Sequence, residues 1–289
     1  MKLIESSVQI IEERDPYKMI ELAGRTCYKS EDKITEDSAK EFVDRMIKLG
    51  HGAMLEHGTI YLRIRETVNG NVPPAMLYWR DCANQKYSKV YTRLESDSPY
   101  SANYEVLYVT TNLRVLVENN RIDDLEYQCE PTEYHERRIT VKFICDRGIS
   151  HEFVRHRVFS FAQESTRYCN YSKDKFGNEL TFIRPSWSYF KNTSYKDAGY
   201  FDGDVFESSL KKAESYYFKL IEKGWKPQQA RQVLPNATKT ELVMTGFESD
   251  WEHFFELRCS GAAHPDARKL ADELKSLMNV KNIEHNSVK

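Results

Sequence analysis

Apolar and polar residues along the chain follow two periods, and the places where one gives way to the other mark out elements. In Thr59–Glu66, Ile60, Leu62 and Ile64 fall on one side and Tyr61, Arg63 and Arg65 on the other, which predicts a half-buried strand. Residues 3–11 alternate more loosely and predict an edge strand. Arg137–Asp146 predicts a third strand, with Ile139, Val141, Phe143 and Cys145 on one face, followed by Gly148 and a short helix from near Ser150. Helical spacing appears in Thr35–Gly50, where Ala39, Phe42, Met46 and Leu49 recur, Glu36 and Asp37 suit the N-terminal dipole and Gly50 stops the run. Phe206, Leu210, Ala213, Tyr217 and Leu220 mark another helix ending at Gly224. Pro227 opens a further one that Pro235 closes, and Ser249–Glu252 has the capping-box pattern before Phe254, Phe255 and Leu257. Pro265 opens a last helix bearing Leu270, Leu274 and Met278, after which the tail from Asn279 is polar and expected to fray. Strands early and late with helices between them predict an α+β fold, a mixed or antiparallel central sheet packed with helices.

Residues 67–135 break both periods. They are rich in Tyr, Asn and Pro, with "NVPP" and "SDSPYSANY" as breakers and "NLRVLVENN" as a short helix. Their thin apolar content predicts an insertion within one domain spanning 1–275, with 276–289 as a polar C-terminal tail.

Composition narrows the function classes. Of 289 residues, 40% are hydrophobic and 30% charged, as in a soluble globular protein. A net charge of −2 argues against a nucleic-acid binder driven by bulk positive charge and leaves room for a local basic pocket. The N-terminus carries no apolar run of signal-peptide length, and no stretch approaches a membrane span. Six scattered cysteines without a Cys-x-x-Cys pair suggest neither a metal site nor a disulfide framework, and point to a reducing cytoplasm.

One stretch concentrates chemistry. "RHRVFSFAQESTR", Arg155–Arg167, gathers guanidinium, imidazole, hydroxyl and carboxylate groups. On a helix, Arg155, His156 and Arg157 would fan out by about 100° each and contact successive parts of an extended anion. Ser165 and Arg167 alternate, so an extended backbone would point both one way, a hydroxyl and a guanidinium suited to phosphate. The alternative is a solvated basic helix end paired with Glu152 and Glu164. His57 in "MLEHGT", Arg231 in "QQARQVLPNAT" and Arg258 after an aromatic helix face complete the candidates. Arg258 beside apolar surface needs a partner, either a ligand or Glu248, Glu256 or Asp266. No hydrolase, zincin, P-loop or dinucleotide-fold motif is present. A site rich in arginine and poor in nucleophiles suits a phosphorylated substrate together with a phosphate-bearing cofactor.

These residues carry a resemblance. Arg155-His156-Arg157, seven residues and then Ser165 match the Arg-His-Arg-x7-Ser signature of flavin-dependent thymidylate synthases. "LEH" at Leu55–His57, "ARQVLP" at Ala230–Pro235 and "FFELR" with the later His264 follow in that family's order, so the chain resembles the family over roughly 1–66 and 136–275. The resemblance implies a homotetramer with active sites shared between subunits. It implies FAD, NADPH, dUMP and 5,10-methylenetetrahydrofolate, and dTMP as the product, without a cysteine nucleophile. His57, Thr59, Arg155, His156 and Arg157 match flavin-contacting positions. Ser165, Thr166 and Arg167 match the loop holding the dUMP phosphate, to which Arg155 also contributes. Arg231 and Arg258 match arginines at the pyrimidine, where Arg258 would stabilise negative charge on the ring. Glu152 and Gln163 fall on nucleotide-contacting positions where the family more often has Gln and Glu, and Gln163 also borders the flavin. Around the flavin adenine the family often has Asn and Arg, where this chain has Phe247, Glu248 and Ser249, with His253 in place of an Asn; Phe247 would then stack on the adenine. The departures leave two other readings in view, a flavoenzyme hydroxymethylating C5 of a pyrimidine nucleotide and a non-catalytic RNA-binding module. No nucleic-acid or membrane partner is otherwise expected.

Overall fold

The structure is a computed structural model and describes residues 1–65, 72–82, 85–98, 101, 103–173, 176–187 and 202–287, without the side chains of 202–204 and 281–287. The breaker residues Asn71, Pro99, Tyr100 and Ala102 and the last two residues of the tail lie outside this set. In chain order the strands are β1 (Lys2–Ile4), β2 (Ser7–Ile11), β3 (Thr59–Arg65), β4 (Lys89–Glu95), β5 (Tyr104–Asn112), β6 (Arg138–Asp146), β7 (Ser160–Gln163), β8 (Thr181–Ile183) and β9 (Lys239–Phe247). The helices are α1 (Pro16–Tyr28), α2 (Ser38–Lys48), α3 (Gly52–Leu55), α4 (Pro74–Asp81), α5 (Leu113–Glu118), α6 (Arg147–Phe153), α7 (Asp202–Glu222), α8 (Pro227–Ala230), α9 (Glu248–Arg258) and α10 (Pro265–Ser287). The fold is α+β, as the alternation predicts.

A four-stranded antiparallel sheet, in the order β2-β6-β9-β7, carries the site. Its register aligns Val8, Phe143 and Leu242 on one face, against which α9 and α10 pack Trp251, Phe254, Leu270, Leu274 and Met278. The side-chain period of two sends Arg138, Thr140, Ser160, Thr245 and Phe247 to the opposite face, where Ala162 and Val243 meet Ala23 of α1. A second antiparallel sheet, β3-β5-β4, is built largely from residues 67–135. Its Leu62, Ile64, Leu107 and Val109 share a core with Phe42 and Met46 of α2 and Trp79 of α4. The segment read as thin in apolar residues therefore holds a strand, β5, buried along most of its length. A short parallel pair, β1 and β8, lies against Tyr217 of α7 through the cluster around Leu180 and Phe182.

Two boundaries differ from expectation. Helix α9 starts one residue before Ser249: the Asp250 carboxylate accepts from the Phe247 backbone N–H at 3.1 Å, and Ser249 is not the cap. The tail from Asn279, expected to fray, continues α10 to Ser287.

Candidate active site

Helix α6 begins where the Asp146 side chain accepts from the Ile149 N–H and ends at Phe153, so the Arg-His-Arg triplet follows the helix and lies in the turn before β7. The helical fan is replaced by an alternation. Arg155 and Arg157 are exposed and His156 between them is buried. Among the described residues neither exposed guanidinium has a side-chain partner. The basic-helix-end alternative fails for a concrete reason: Glu152 pairs with Arg258, and Glu164 with Lys239 and Tyr171.

His156 and Arg258, 102 residues apart in sequence, meet directly. Arg258 Nε donates to His156 Nε2 at 2.9 Å, Nη1 to Glu152 Oε2 at 2.6 Å and Nη2 to the Glu152 carbonyl at 2.8 Å. Glu152 thus replaces the carboxylates expected to satisfy Arg258. Because Nε2 accepts, His156 is neutral, and burial with the neighbouring Arg258 and His253 charges pushes its pKa down to about 4. The imidazole is wedged by aromatic rings, 5.0 Å from Phe254 and 6.2 Å from Phe159 between centroids. Three of the five guanidinium donors are engaged, which leaves two for a ligand.

The Gln163–Arg167 loop is held separately. Gln163 Nε2 donates to Ser150 Oγ at 2.8 Å and Thr240 Oγ1 at 3.2 Å, tying α6 to β9. Beyond it the backbone turns: Tyr168 N–H and Cys169 N–H both donate to the Ser165 carbonyl, and Arg167 N–H donates to Ser165 Oγ at 3.3 Å. The extended backbone expected for Ser165 and Arg167 is not formed, and the turn gathers them instead. Arg231 Nη1 donates to Thr166 Oγ1 at 3.2 Å and Arg167 Nε to Gln228 Oε1 at 3.2 Å, so α8 and the turn after it brace the loop. Two guanidiniums and two hydroxyls around one turn suit a phosphate.

His57 lies on the other face of the sheet. It is fully buried, with Nδ1 2.8 Å from Thr245 Oγ1, which in turn is 2.8 Å from Thr140 Oγ1. Burial, and then the charge of Arg138, push its pKa down to about 3, so the ring is neutral. The following Gly58 is required sterically, since a Cβ there would sit 2.5 Å from Ile20 Cδ1 and 2.9 Å from the Pro16 carbonyl. His57 and Thr59 line an open cleft of about 1610 Å³ whose walls include Tyr61, Trp251 and Phe255.

The positions expected at the adenine are not gathered. Phe247 is 2% exposed, with Arg138 and Lys89 each 5.6 Å from its ring centroid, so cations and not open space meet the ring. Ser249 Oγ bonds Glu136, and His253 is exposed beside Glu256.

Arg138 escaped the sequence reading. Its alternation phase, shared with Thr140 and Lys142, looks like the solvent side of β6. The register sets it opposite Phe247 on a face that α3 and β3 cover. Its Nη1 donates to the Glu56 carbonyl at 2.8 Å and to Thr59 Oγ1 at 3.4 Å, and Nη2 to Ser160 Oγ at 3.2 Å. Also missed was the Glu241 cluster, where Lys29, Lys142 and Lys239 surround one carboxylate whose pKa is held far down, by the Lys239 charge foremost among the cations, against a burial that acts the other way.

Among the described residues no helix is long and apolar enough to cross a membrane. A protein of Geobacter sulfurreducens named flavin-dependent thymidylate synthase is 33% identical over 132 residues, 46% of this chain and 52% of that protein. One of the same name from Sulfolobus acidocaldarius is 31% identical over 133 residues, 45% and 46% of the two chains. The chain thus spans about half the length of these curated relatives. A third, from Corynebacterium aurimucosum, is 24% identical over 257 residues, 88% of this chain and 72% of its own. A crystal structure of a UMP/dUMP methylase from Streptomyces cacaoi bound with 5-Br dUMP aligns over 96% of this chain and 92% of its own, at 15% identity and a TM-score of 0.42, a likeness too loose to argue from. The family model described as thymidylate synthase complementing protein matches residues 9–130 and 131–281, and the chain belongs to that family.

Proposed function

We propose that the chain is a flavin-dependent thymidylate synthase that makes dTMP from dUMP, with 5,10-methylenetetrahydrofolate as carbon donor and NADPH as reductant. The observation that carries this is the Arg258–His156–Glu152 cluster, in which the family's Arg-His-Arg and Phe-Glu-Leu-Arg segments converge on one guanidinium with donors to spare. Family membership and the names of the relatives support it.

Most of the candidate residues have a role in this reading. Ser165, Thr166 and Arg167, with the exposed Arg155, hold the dUMP phosphate; Arg231, which the resemblance puts at the pyrimidine, is assigned to the phosphate instead because it donates to Thr166 Oγ1 at 3.2 Å. Arg258 donates to the pyrimidine and stabilises negative charge as it develops, while Glu152 and His156 keep the guanidinium from rotating. Glu152 and Gln163 orient the base. His57, Thr59, Arg155, His156 and Arg157 are assigned to FAD, with Gln163 at its border; because His57 and Thr59 lie on the opposite sheet face from His156, one FAD reaches both sets only where two subunits meet, and Phe247, Ser249 and His253 are not assigned to the adenine. The cleft beside His57 offers Tyr61, Trp251 and Phe255 to a ring system, but eight glutamates outnumber its four cations, Arg14, Arg137, Arg138 and Lys275, so its own lining does not fit the cofactor's phosphates. Bound FAD supplies the hydride that completes the methyl group. Burial raises the Cys27 and Cys259 thiols to about 11 and lifts Cys129 and Cys145 as well, which disfavours the thiolate at these four. Active sites shared within a cytoplasmic homotetramer belong to the same proposal.

The test is turnover. Protein with FAD, NADPH, dUMP and methylenetetrahydrofolate should yield dTMP by mass spectrometry. A 5-hydroxymethyl product would assign the hydroxymethylase instead. No nucleotide product from flavin-loaded protein would overturn both.

A further inference from the structure

The turn assigned to the dUMP phosphate leaves β7 after Gln163. Its middle, Arg167 and Tyr168, is exposed, and a cavity of about 220 Å³ adjoins Glu164 at its start, Tyr171 at its end and Lys239 beside them. Packed side chains do not fill that space, so polar links set the separation of the two ends. Backbone bonds fix the start alone: Glu164 N–H donates to the Glu241 carbonyl at 2.8 Å and Ser165 N–H to the Cys27 carbonyl at 2.9 Å. One side-chain bond joins start to end. Tyr171 Oη donates to Glu164 Oε1 at 3.0 Å, which closes a ring around residues 165–170.

The ring is itself anchored. Glu164 Oε2 accepts from Lys239 Nζ at 2.8 Å, and Lys239 also meets Glu241, on which Lys29 and Lys142 converge. Glu164 and Tyr171 are 3% and 7% exposed. Burial, and then the Glu164 charge, raise the Tyr171 pKa well above its ordinary value, so the phenol remains a donor at neutral pH. Architecture alone does not require this arrangement. Tyr171 shares an apolar cluster with Leu180, Phe182, Leu210 and Tyr217, where a phenylalanine would pack without burying a hydroxyl. Apolar residues in place of the buried ion pair would join β7 to β9 without its desolvation cost. What the polar version adds is direction. The hydroxyl and the ammonium each take one carboxylate oxygen, which fixes Glu164 and, through it, the position of one end of the turn against the other.

We propose that Glu164 and Tyr171 form a clasp, anchored by Lys239, that positions the Ser165–Arg167 turn to receive a phosphate monoester. This rests on reading that turn as the dUMP phosphate site. Neither residue touches the nucleotide in this account; both are positioning residues that act through Ser165, Thr166 and Arg167. With the clasp closed, the phosphate meets donors already in place. With it open, binding must also order residues 165–170, and affinity falls. The clasp acts on binding and not on the chemical step, so its loss moves KM and leaves kcat.

The experiment uses full-length protein supplied with FAD and compares wild type with Tyr171→Phe and Glu164→Gln. It measures dUMP affinity by titration, KM and kcat for dUMP, FAD affinity, and inhibition by deoxyuridine, which carries no phosphate. Tyr171→Phe removes one hydrogen bond to a charged group and should raise Kd and KM for dUMP about tenfold, with kcat, FAD affinity and deoxyuridine inhibition unchanged. Glu164→Gln keeps an acceptor for Tyr171 but loses the Lys239 ion pair, and should raise the same two constants by less. If Tyr171→Phe does not fold, Glu164→Gln carries the same comparison. Unchanged dUMP affinity in a folded Tyr171→Phe variant overturns the proposal. A loss that deoxyuridine or FAD shares overturns it too, and would make the pair part of the general architecture. Wild-type protein that does not bind dUMP would instead overturn the functional reading beneath it.

Discussion

The two faces of the β2-β6-β9-β7 sheet treat a partly or fully buried arginine in opposite ways. On the α9–α10 face, Arg258 is matched by Glu152 and fixed by His156. On the face towards α1 and β3, Arg138 is bonded only to neutral oxygens. A guanidinium compensated within the chain is held in one orientation and can present its remaining donors accurately. One bonded only to neutral oxygens ties β6 to the α3–β3 junction and to β7. The first arrangement suits orientation of a substrate, and the second suits the joining of β3, β6 and β7.

The largest effect expected is on the compensated face. Arg258→Ala should lower kcat by about 10²–10³-fold, as does removal of a donor aimed at developing charge, while FAD content stays near wild type. Protein purifying without flavin would put Arg258 at the cofactor and erase the distinction between the faces. The next effect is on pH dependence. An unfolded histidine titrates near 6.5, whereas His57 and His156 in the fold have pKa values of about 3 and about 4. Between those values the unfolded chain binds more protons than the native one, so stability is full above about pH 6.5 and falls as pH drops towards 4. Each unit of difference corresponds to about 1.4 kcal/mol, so both residues add to acid destabilisation. His57→Gln should flatten the fall, as urea midpoints at pH 7, 6 and 5 would show; an unchanged slope would mean that the cleft-side imidazole is not held neutral.

Smaller effects sharpen the comparison. Arg167→Gln should raise KM for dUMP about tenfold or more, the worth of one charge-assisted hydrogen bond, with FAD affinity unchanged; a change in flavin affinity would tie the phosphate loop to the cleft. Gly58→Ala and Gly246→Ala probe packing on the two faces. A Cβ at Gly246 would lie 2.5 Å from the Phe159 ring, and one at Gly58 would lie 2.9 Å from the Pro16 carbonyl besides meeting Ile20. Overpacking costs about 1–3 kcal/mol, and Gly58→Ala should be the costlier because backbone yields less than a ring. Thermal melts that rank them the other way would show the β3 junction to be the more yielding side.

The sequence was legible where one face meets solvent. Ile60, Leu62 and Ile64 alternate because β3 keeps Tyr61, Arg63 and Arg65 outward, and α2 and α7 appear near their predicted bounds for the same reason. Strands β5 and β9 were not predicted because they are covered on both sides, so their buried residues run on without alternation. Helix α1 was missed although Asp15 and Pro16 form a start signal, with Asp15 accepting from Tyr17 N–H at 2.8 Å. The chemistry divided in the same way. The signature spacing pointed to His156, Ser165 and Arg167 and the two later segments to Arg231 and Arg258, and the fold brings His156 to Arg258 and Arg231 to Thr166. Arg138 was invisible because nothing local distinguishes a strand's solvent phase from a face that a segment 80 residues away will cover; only the pairing with β9 and the placement of Glu56 do so.

The central claim is that this chain needs no nucleophile of its own because substrate and cofactor bring the reactive centres to a frame of arginines. It is tested most directly by reducing FAD-loaded protein with dithionite and mixing it anaerobically with dUMP and methylenetetrahydrofolate while recording absorbance and product. The account predicts that the oxidised flavin bands return as dTMP forms, in equal amounts. Flavin that stays reduced while dTMP accumulates, or that reoxidises without dTMP, would contradict it.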